Sequence, residues 1–147
     1  MLLVDFRRDG LVQLQGLPHV KAFVDEEQEL NDVISDVAAA AQERRKTLES
    51  ARRAATGSFD AREFVARYPS VVLIIDDFDT VRDLLQPTAK SQLEQLIKRE
   101  RGTGFHIVLA GTPNDIGASW DAWVKALREG QTGFVLGSTE QDDTQIL

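Results

Sequence analysis

No cysteine occurs in these 147 residues, so neither a disulfide framework nor a thiolate metal site can form. That absence fits a reducing compartment. Histidine is nearly as scarce, with only His19 and His106, and no close cluster of histidine and acid supports a zinc site. Long apolar runs are missing too. The longest strongly apolar run is Val71 to Ile75, far too short to span a bilayer. Asp5, Arg7 and Arg8 interrupt the only apolar start at which a secretory leader would stand. The chain carries no internal repeat and no low-complexity tract, and no serine or threonine sits in a nucleophile-elbow setting. Positive charge is the minority, 17 Lys and Arg against 24 Asp and Glu, for a net charge of −7. Sequence-independent DNA binding draws on cations that displace phosphate counterions, so this balance argues against a free-standing DNA binder while leaving a local basic patch open.

What is present reads as a soluble globular domain: 42% hydrophobic and 28% charged residues are ordinary values, and the length suits one domain or a large piece of one. A strand is expected at once, over Met1–Phe6, with no polar lead, which reads as a trimmed boundary. A second short strand over Leu11–Leu14 follows the Asp9-Gly10 turn signal. Leu30, Val33, Ile34, Val37, Ala41 and Leu48 then recur at helical spacing and predict a long helix over Asp25–Ala55. Asp25 with Gln28 resembles a capping box. The acids at the start of this helix and the basic stretch Arg44 to Arg53 at its end both complement the helix dipole, and that basic stretch reads as a solvated helix end. A shorter helix is expected over Asp60–Arg67.

Val71–Ile75 is apolar on both pleat faces, as a central parallel strand would be. Helical turns follow around Val81 and Leu85, and a helix containing Leu93, Leu96 and Ile97 begins beyond Pro87-Thr88. Phe105–Ala110 reads as another buried strand, within which His106 alternates with core residues and so reads as structural. Trp120, Trp123, Val124 and Leu127 fit one helix face, with Ser119 as its N-cap and both tryptophans expected in the core. Gly133–Leu136 is the last expected strand. Strands alternating with helices argue for α/β with a mainly parallel sheet.

One segment carries possible chemistry. Val72-Leu73-Ile74-Ile75-Asp76-Asp77 runs four apolar residues into adjacent acids, the Walker B pattern of P-loop NTPases. A buried strand there ends at the sheet's carboxyl edge, where open α/β sheets bind ligands. The first acid can hold Mg²⁺ and the second can orient the attacking water. The same segment is equally a strand followed by two solvated acids in a turn. Walker B also needs the glycine-rich Walker A loop, Gly-x-x-x-x-Gly-Lys-Ser/Thr, and none occurs. Gly102-Thr103-Gly104 is no substitute, because it leads into a strand instead of joining a strand to a helix.

Five segments in order resemble the FtsK/SpoIIIE family of motor ATPases. Leu3-Val4-Asp5 with Gly16-Leu17-Pro18-His19-Val20 is similar to the strand and loop after its Walker A helix. Gln42-Glu43-Arg44-Arg45 resembles the end of its long helix, and Ile74-Ile75-Asp76-Asp77-Phe78 its Walker B. Gly104-Phe105-His106-Ile107-Val108-Leu109-Ala110 resembles its next strand, and Ser138 to Leu147 its closing segment. Where the family has a catalytic Glu the chain has Asp77, one methylene shorter. Its polar Thr-Gln sensor is here Gly111-Thr112, and its closing Arg is here Thr144. Asp-Asp in place of Asp-Glu resembles the later, degenerate ATPase domains of type VII secretion motors of the EccC and EssC kind.

The resemblance implies a RecA-like three-layer P-loop NTPase core, of which residues 1–147 would be the single partial domain after the Walker A helix. It implies Asp76 as the Mg²⁺ ligand, Asp77 as the catalytic acid, and Asp76, Asp77 and Thr112 as nucleotide contacts. Mg-ATP would be the cofactor of the full-length parent, with no tight binding or turnover expected of this chain alone. Implied partners are other ATPase domains of the same motor and a secreted helical-hairpin substrate. Duplex DNA and direct membrane insertion are not expected. The implied location is cytoplasmic, tethered to the inner membrane through the parent. An active DNA-translocating motor and a non-enzymatic adaptor that kept the fold stand as the alternative functions.

Overall fold

The computed structural model describes residues 1–100, 102–130 and 133. Its centre is a four-stranded, all-parallel sheet in the order β2-β1-β3-β4, built from β1 (Leu2–Val4), β2 (Ala22–Val24), β3 (Val71–Ile75) and β4 (Phe105–Leu109). Register follows the apolar pattern. Leu2 pairs with Leu73 and Val4 with Ile75, while Val71, Leu73 and Ile75 pair with Phe105, Ile107 and Leu109. These residues share one face, since side chains alternate along a strand.

The helices build the core on that face. The long α1 (Glu27–Ala54) turns Leu30, Ile34, Val37 and Ala41 inward. α4 (Pro87–Arg99) adds Ala89, Leu93, Leu96 and Ile97, α3 (Phe78–Leu84) adds Phe78 and Val81, and α6 (Ala122–Arg128) adds Trp123, Val124 and Ala126. Asn31 pins α1 to the α3–α4 junction: its amide donates to the Leu84 carbonyl at 3.4 Å, and its oxygen accepts from the Gln86 N–H at 3.0 Å. α2 (Ala61–Val65) is capped by Asp60, whose carboxylate accepts from the N–H groups of Arg62 and Glu63. No helix of the described residues is long and apolar enough to cross a membrane.

Several expectations need correcting. Leu11–Leu14 is not a strand: Val12–Leu14 forms a single 3-10 turn, and the strand lies later, at Ala22–Val24, where it pairs with β1. The alternation in Leu11-Val12-Gln13-Leu14 is too short to separate the two forms. α1 begins after Glu26 with no side-chain cap, so the capping box does not form; Asp25 pairs with Arg8 and Gln28 with Asp32. β4 is not buried on both faces. His106 is exposed and Val108 is 50% exposed, so His106 alternates with core residues but lies on the opposite, open side. Trp123 is buried, whereas Trp120 is 86% exposed beneath the Lys125 ammonium, 4.5 Å from its ring centroid; Trp120 precedes α6 instead of lying on it. Ser119 accepts from the Asp121 N–H, and Asp121 holds the N-cap position. A short α5 (Pro113–Ala118) was not expected. The strand expected at Gly133–Leu136 lies, beyond Gly133, outside the described residues, as does Thr144.

The basic end of α1 is only partly solvated. Arg44 donates to the Thr103 carbonyl at 2.9 Å, and Arg45 lies 3.5 Å from Glu100. Glu100 is buried, and one of its carboxylate oxygens has no partner. Burial pushes its carboxyl above the ordinary value of 4.5; Arg45 pulls against this and Glu49 adds to it. The folded state therefore holds this proton more readily than the unfolded chain, and the group's contribution to stability falls as pH rises through its folded value. Glu100→Gln should accordingly melt above the parent at neutral pH, with the difference vanishing below pH 4.5. Equal melting at both pH values would contradict this reading of Glu100.

Candidate functional site

The carboxyl edge of the sheet gathers the chain segments that leave β1, β3 and β4. Parallel-strand bonding continues one residue past each strand: the Asp5 N–H donates to Val24, Asp76 to Val4, and Ala110 to Ile75. Asp5 and Asp76 are thereby fixed side by side where the strands stop. Asp76 lies at the carboxyl edge as expected.

Asp77 turns the chain sharply. It adopts the left-handed conformation, φ 52° and ψ 54°, which costs a non-glycine residue on the order of 1 kcal/mol. The turn is held from both sides. The Asp77 N–H donates to Asp76 Oδ1 at 2.9 Å, and the next N–H, of Phe78, donates to Ala110 at 3.2 Å. Phe78 then anchors α3 in the core.

The loop after β1 folds over these acids. Asp5 is fully buried, and its two oxygens accept from the Arg8 N–H at 2.6 Å and the Leu11 N–H at 2.7 Å. Gly10 is thereby laid against Asp76, where a Cβ would come within 2.3 Å of Oδ2. Arg7 reaches across, with Nη1 3.1 Å from Asp77 Oδ1 and Nη2 2.6 Å from Asp79 Oδ2. Asp9 joins the group, since single carboxylate oxygens of Asp5, Asp9 and Asp77 lie within 4.8 Å of one another. Burial pushes the Asp77 carboxyl upward; Arg7 opposes this, and Asp76, Asp9 and Asp5 add to it. Its Oδ2 is buried without a partner.

Asp76 and Asp77 are thus brought together, and Thr112 is not joined to them by any hydrogen bond among the described residues. Thr112 caps α5, accepting from the Asp115 N–H at 3.2 Å and donating to the Asp115 carboxylate at 2.6 Å. Sequence reasoning missed Asp5, Arg7, Asp9 and Asp79. Asp5 could have been found, since an acid that ends an apolar strand beside another such strand meets its neighbour at the same edge. Arg7 carried no signal.

Mg²⁺ needs near-octahedral geometry and keeps several of its waters. Asp76 has one oxygen bonded to the adjacent N–H and the other covered by Gly10, and Asp77 is turned toward Arg7. Asp76 and Asp77 as they stand do not present that ion with an open pair of oxygens. Gly111 has a steric reason to lack a side chain: a Cβ there would sit 2.8 Å from the Phe78 Cβ. Gly111→Thr should destabilise the fold by about 1–3 kcal/mol through overpacking, read as a lower urea midpoint. An unchanged midpoint would show that α3 can yield.

A second feature lies at the opposite end of the strands, roughly 15 Å away at about 3.3 Å per residue. Leu2, Ala22, Val71 and Phe105 face Val33, Val37 and Ala40 of α1 across a groove of about 380 Å³, with Lys21, Asp36 and Arg44 also in its lining.

No protein-family model matches the chain. Over 117 residues, 76% of the chain, it is 30% identical to the type VII secretion system protein EssC of Staphylococcus aureus, and it spans 8% of that protein's length. Its fold matches EssC ATPases 2 and 3 from Geobacillus thermodenitrificans, with TM-score 0.67 and 16% identity over 95% of this chain and 26% of that one. It also matches Thermomonospora curvata EccC ATPases 2 and 3 in complex with a signal sequence peptide, with TM-score 0.66 and 16% identity over the same shares. At such identities the structural likeness is one of fold. By sequence the chain belongs with the type VII secretion protein EssC, and its fold is that of ATPases 2 and 3 of EssC and EccC.

Proposed function

We propose that this chain is a substrate-recognising or regulatory module of a type VII secretion motor, degenerate as an ATPase, working on the cytoplasmic side and docking with sister ATPase domains. The observation that carries the degenerate reading is the closed acidic edge: Gly10 covers Asp76 and Arg7 engages Asp77. Phosphoryl transfer depends almost entirely on positioning and electrostatic stabilisation, and neither acid is disposed for it. Most phosphate contacts in this class come from the Walker A backbone and lysine, so these 147 residues by themselves should hold nucleotide weakly.

The groove under α1 supports recognition. It is concave and mainly apolar, with a few polar groups in its lining, and its size is within the ~300–1,000 Å³ of ordinary ligand sites. A helical segment presenting apolar residues at i, i+3 and i+4 is the occupant that suits such a surface. The matched EccC structure holds a signal sequence peptide, which makes a secreted protein's signal segment the first candidate. DNA translocation fits less well. The net charge is −7, and Arg44 and Arg45 are engaged within the domain.

Calorimetry with ATP and Mg²⁺ tests the degenerate reading. The isolated chain should give no saturable heat at millimolar nucleotide, and micromolar binding would mean that another surface replaces the missing loop.

A further inference from the structure

We propose that the Arg7 guanidinium is the built-in cation of the carboxyl edge: it takes the place a divalent ion would hold before Asp77, and with Gly10 it closes the acidic pair from within. The geometry is that of a clamp. Its planar fork splits between two carboxylates, Asp77 at 3.1 Å and Asp79 at 2.6 Å. An arginine is suited to such a bridge, since its charge does not titrate away and its donors lie in one rigid plane.

The clamp is held by a residue outside it. Asp5 is fully buried, and both its oxygens are used by backbone N–H groups of the loop, those of Arg8 and Leu11. These bonds fall on the residues that directly follow Arg7 and Gly10, so Asp5 fixes the loop that brings Arg7 to Asp77 and Gly10 to Asp76. Gly10 matters because a Cβ there would come within 2.3 Å of Asp76 Oδ2, so that any other residue would push the Asp76 carboxylate aside. A divalent cation would have to displace the guanidinium and lift this loop together.

Arg8 provides an internal comparison. It carries the same charge on the same loop and has nearly the same side-chain exposure, 54% against 52%, yet it pairs with Asp25. Loss of either arginine removes one positive charge near the acids, and only loss of Arg7 opens Asp77.

The test is Mn²⁺ alone, titrated into the full chain and followed by electron paramagnetic resonance, with no nucleotide present. Arg7→Gln should bind Mn²⁺ about tenfold more tightly than the parent, the scale expected when one close unit charge is removed at a partly screened site. Arg7→Lys should stay near the parent, and Arg8→Gln should change by no more than about threefold, since a solvated charge farther off is largely screened. An Arg7→Gln response no larger than that of Arg8→Gln would overturn the proposal. Should Arg7→Gln fail to fold, the parent still decides: its Asp9 and Asp77 amide signals should stay sharp in submillimolar Mn²⁺, and selective broadening there would show the edge already open. Peptide recognition is untouched by either result, since the groove lies at the other end of the strands.

Discussion

Phe78→Ala should remove about 3–5 kcal/mol of stability, the usual cost of truncating a buried aromatic. Phe78 is fully buried and meets Trp123 edge to face, with ring centroids 5.7 Å apart and planes at 73°. The Arg82 guanidinium stacks 5.8 Å from its ring centroid. The neighbours cannot close the resulting cavity cheaply, because Phe78 also starts α3 and its N–H is tied to Ala110. A domain's whole stability is on the order of 5–15 kcal/mol, so the loss is a large fraction of it. In urea the midpoint should fall while the slope stays constant, as when stability changes without a change in the surface exposed. A loss below about 1 kcal/mol would mean that the ring is not an anchor of α3.

Much of this fold was legible because its strongest signals are tertiary facts written locally. Val71–Ile75 is apolar at every position because it runs through the middle of the sheet, between β1 and β4. The periodicity of α1 is clear because a single stripe, Leu30 to Ala41, meets the core. Weaker elements failed for physical reasons. Ala22–Val24 has three residues, too few for a period, and is a strand only because β1 offers it a partner. Trp120 and Trp123 have helical spacing, but the chain enters α6 at Ala122, so the spacing does not place Trp120 on that helix. His106 shows that alternation gives two faces without saying which of them is covered.

At the site, the position of Asp76 and Asp77 was readable and their state was not. A strand that ends in acids places them at the carboxyl edge, whatever lies above. That Arg7 would come to rest on Asp77 depends on the path of a loop fixed by Asp5, a contact between residues 70 positions apart in the chain. Gly111 stands where the family that the chain resembles has a polar residue. In the structure the glycine is a packing requirement set by Phe78.

The other large effect expected is on recognition. Ala40 lines the groove from α1 and is itself exposed, so Ala40→Glu can be made without cutting into the core. Glutamate is a good helix former, and the melting temperature should hold. An apolar anchor entering the groove would then meet a carboxylate that must be desolvated, beside Asp36. Burying an unpaired charge is costly, so affinity for a helical apolar peptide should fall at least about tenfold, or 1.4 kcal/mol.

The measurement that bears most directly on recognition by this domain is fluorescence anisotropy of a labelled peptide carrying the signal segment of a type VII-secreted protein, titrated with the isolated chain and with Ala40→Glu, without nucleotide. The account predicts saturable binding to the parent, unchanged by ATP and Mg²⁺ and at least about tenfold weaker for the variant. No binding to the parent, or equal binding to a variant that remains folded, would contradict it.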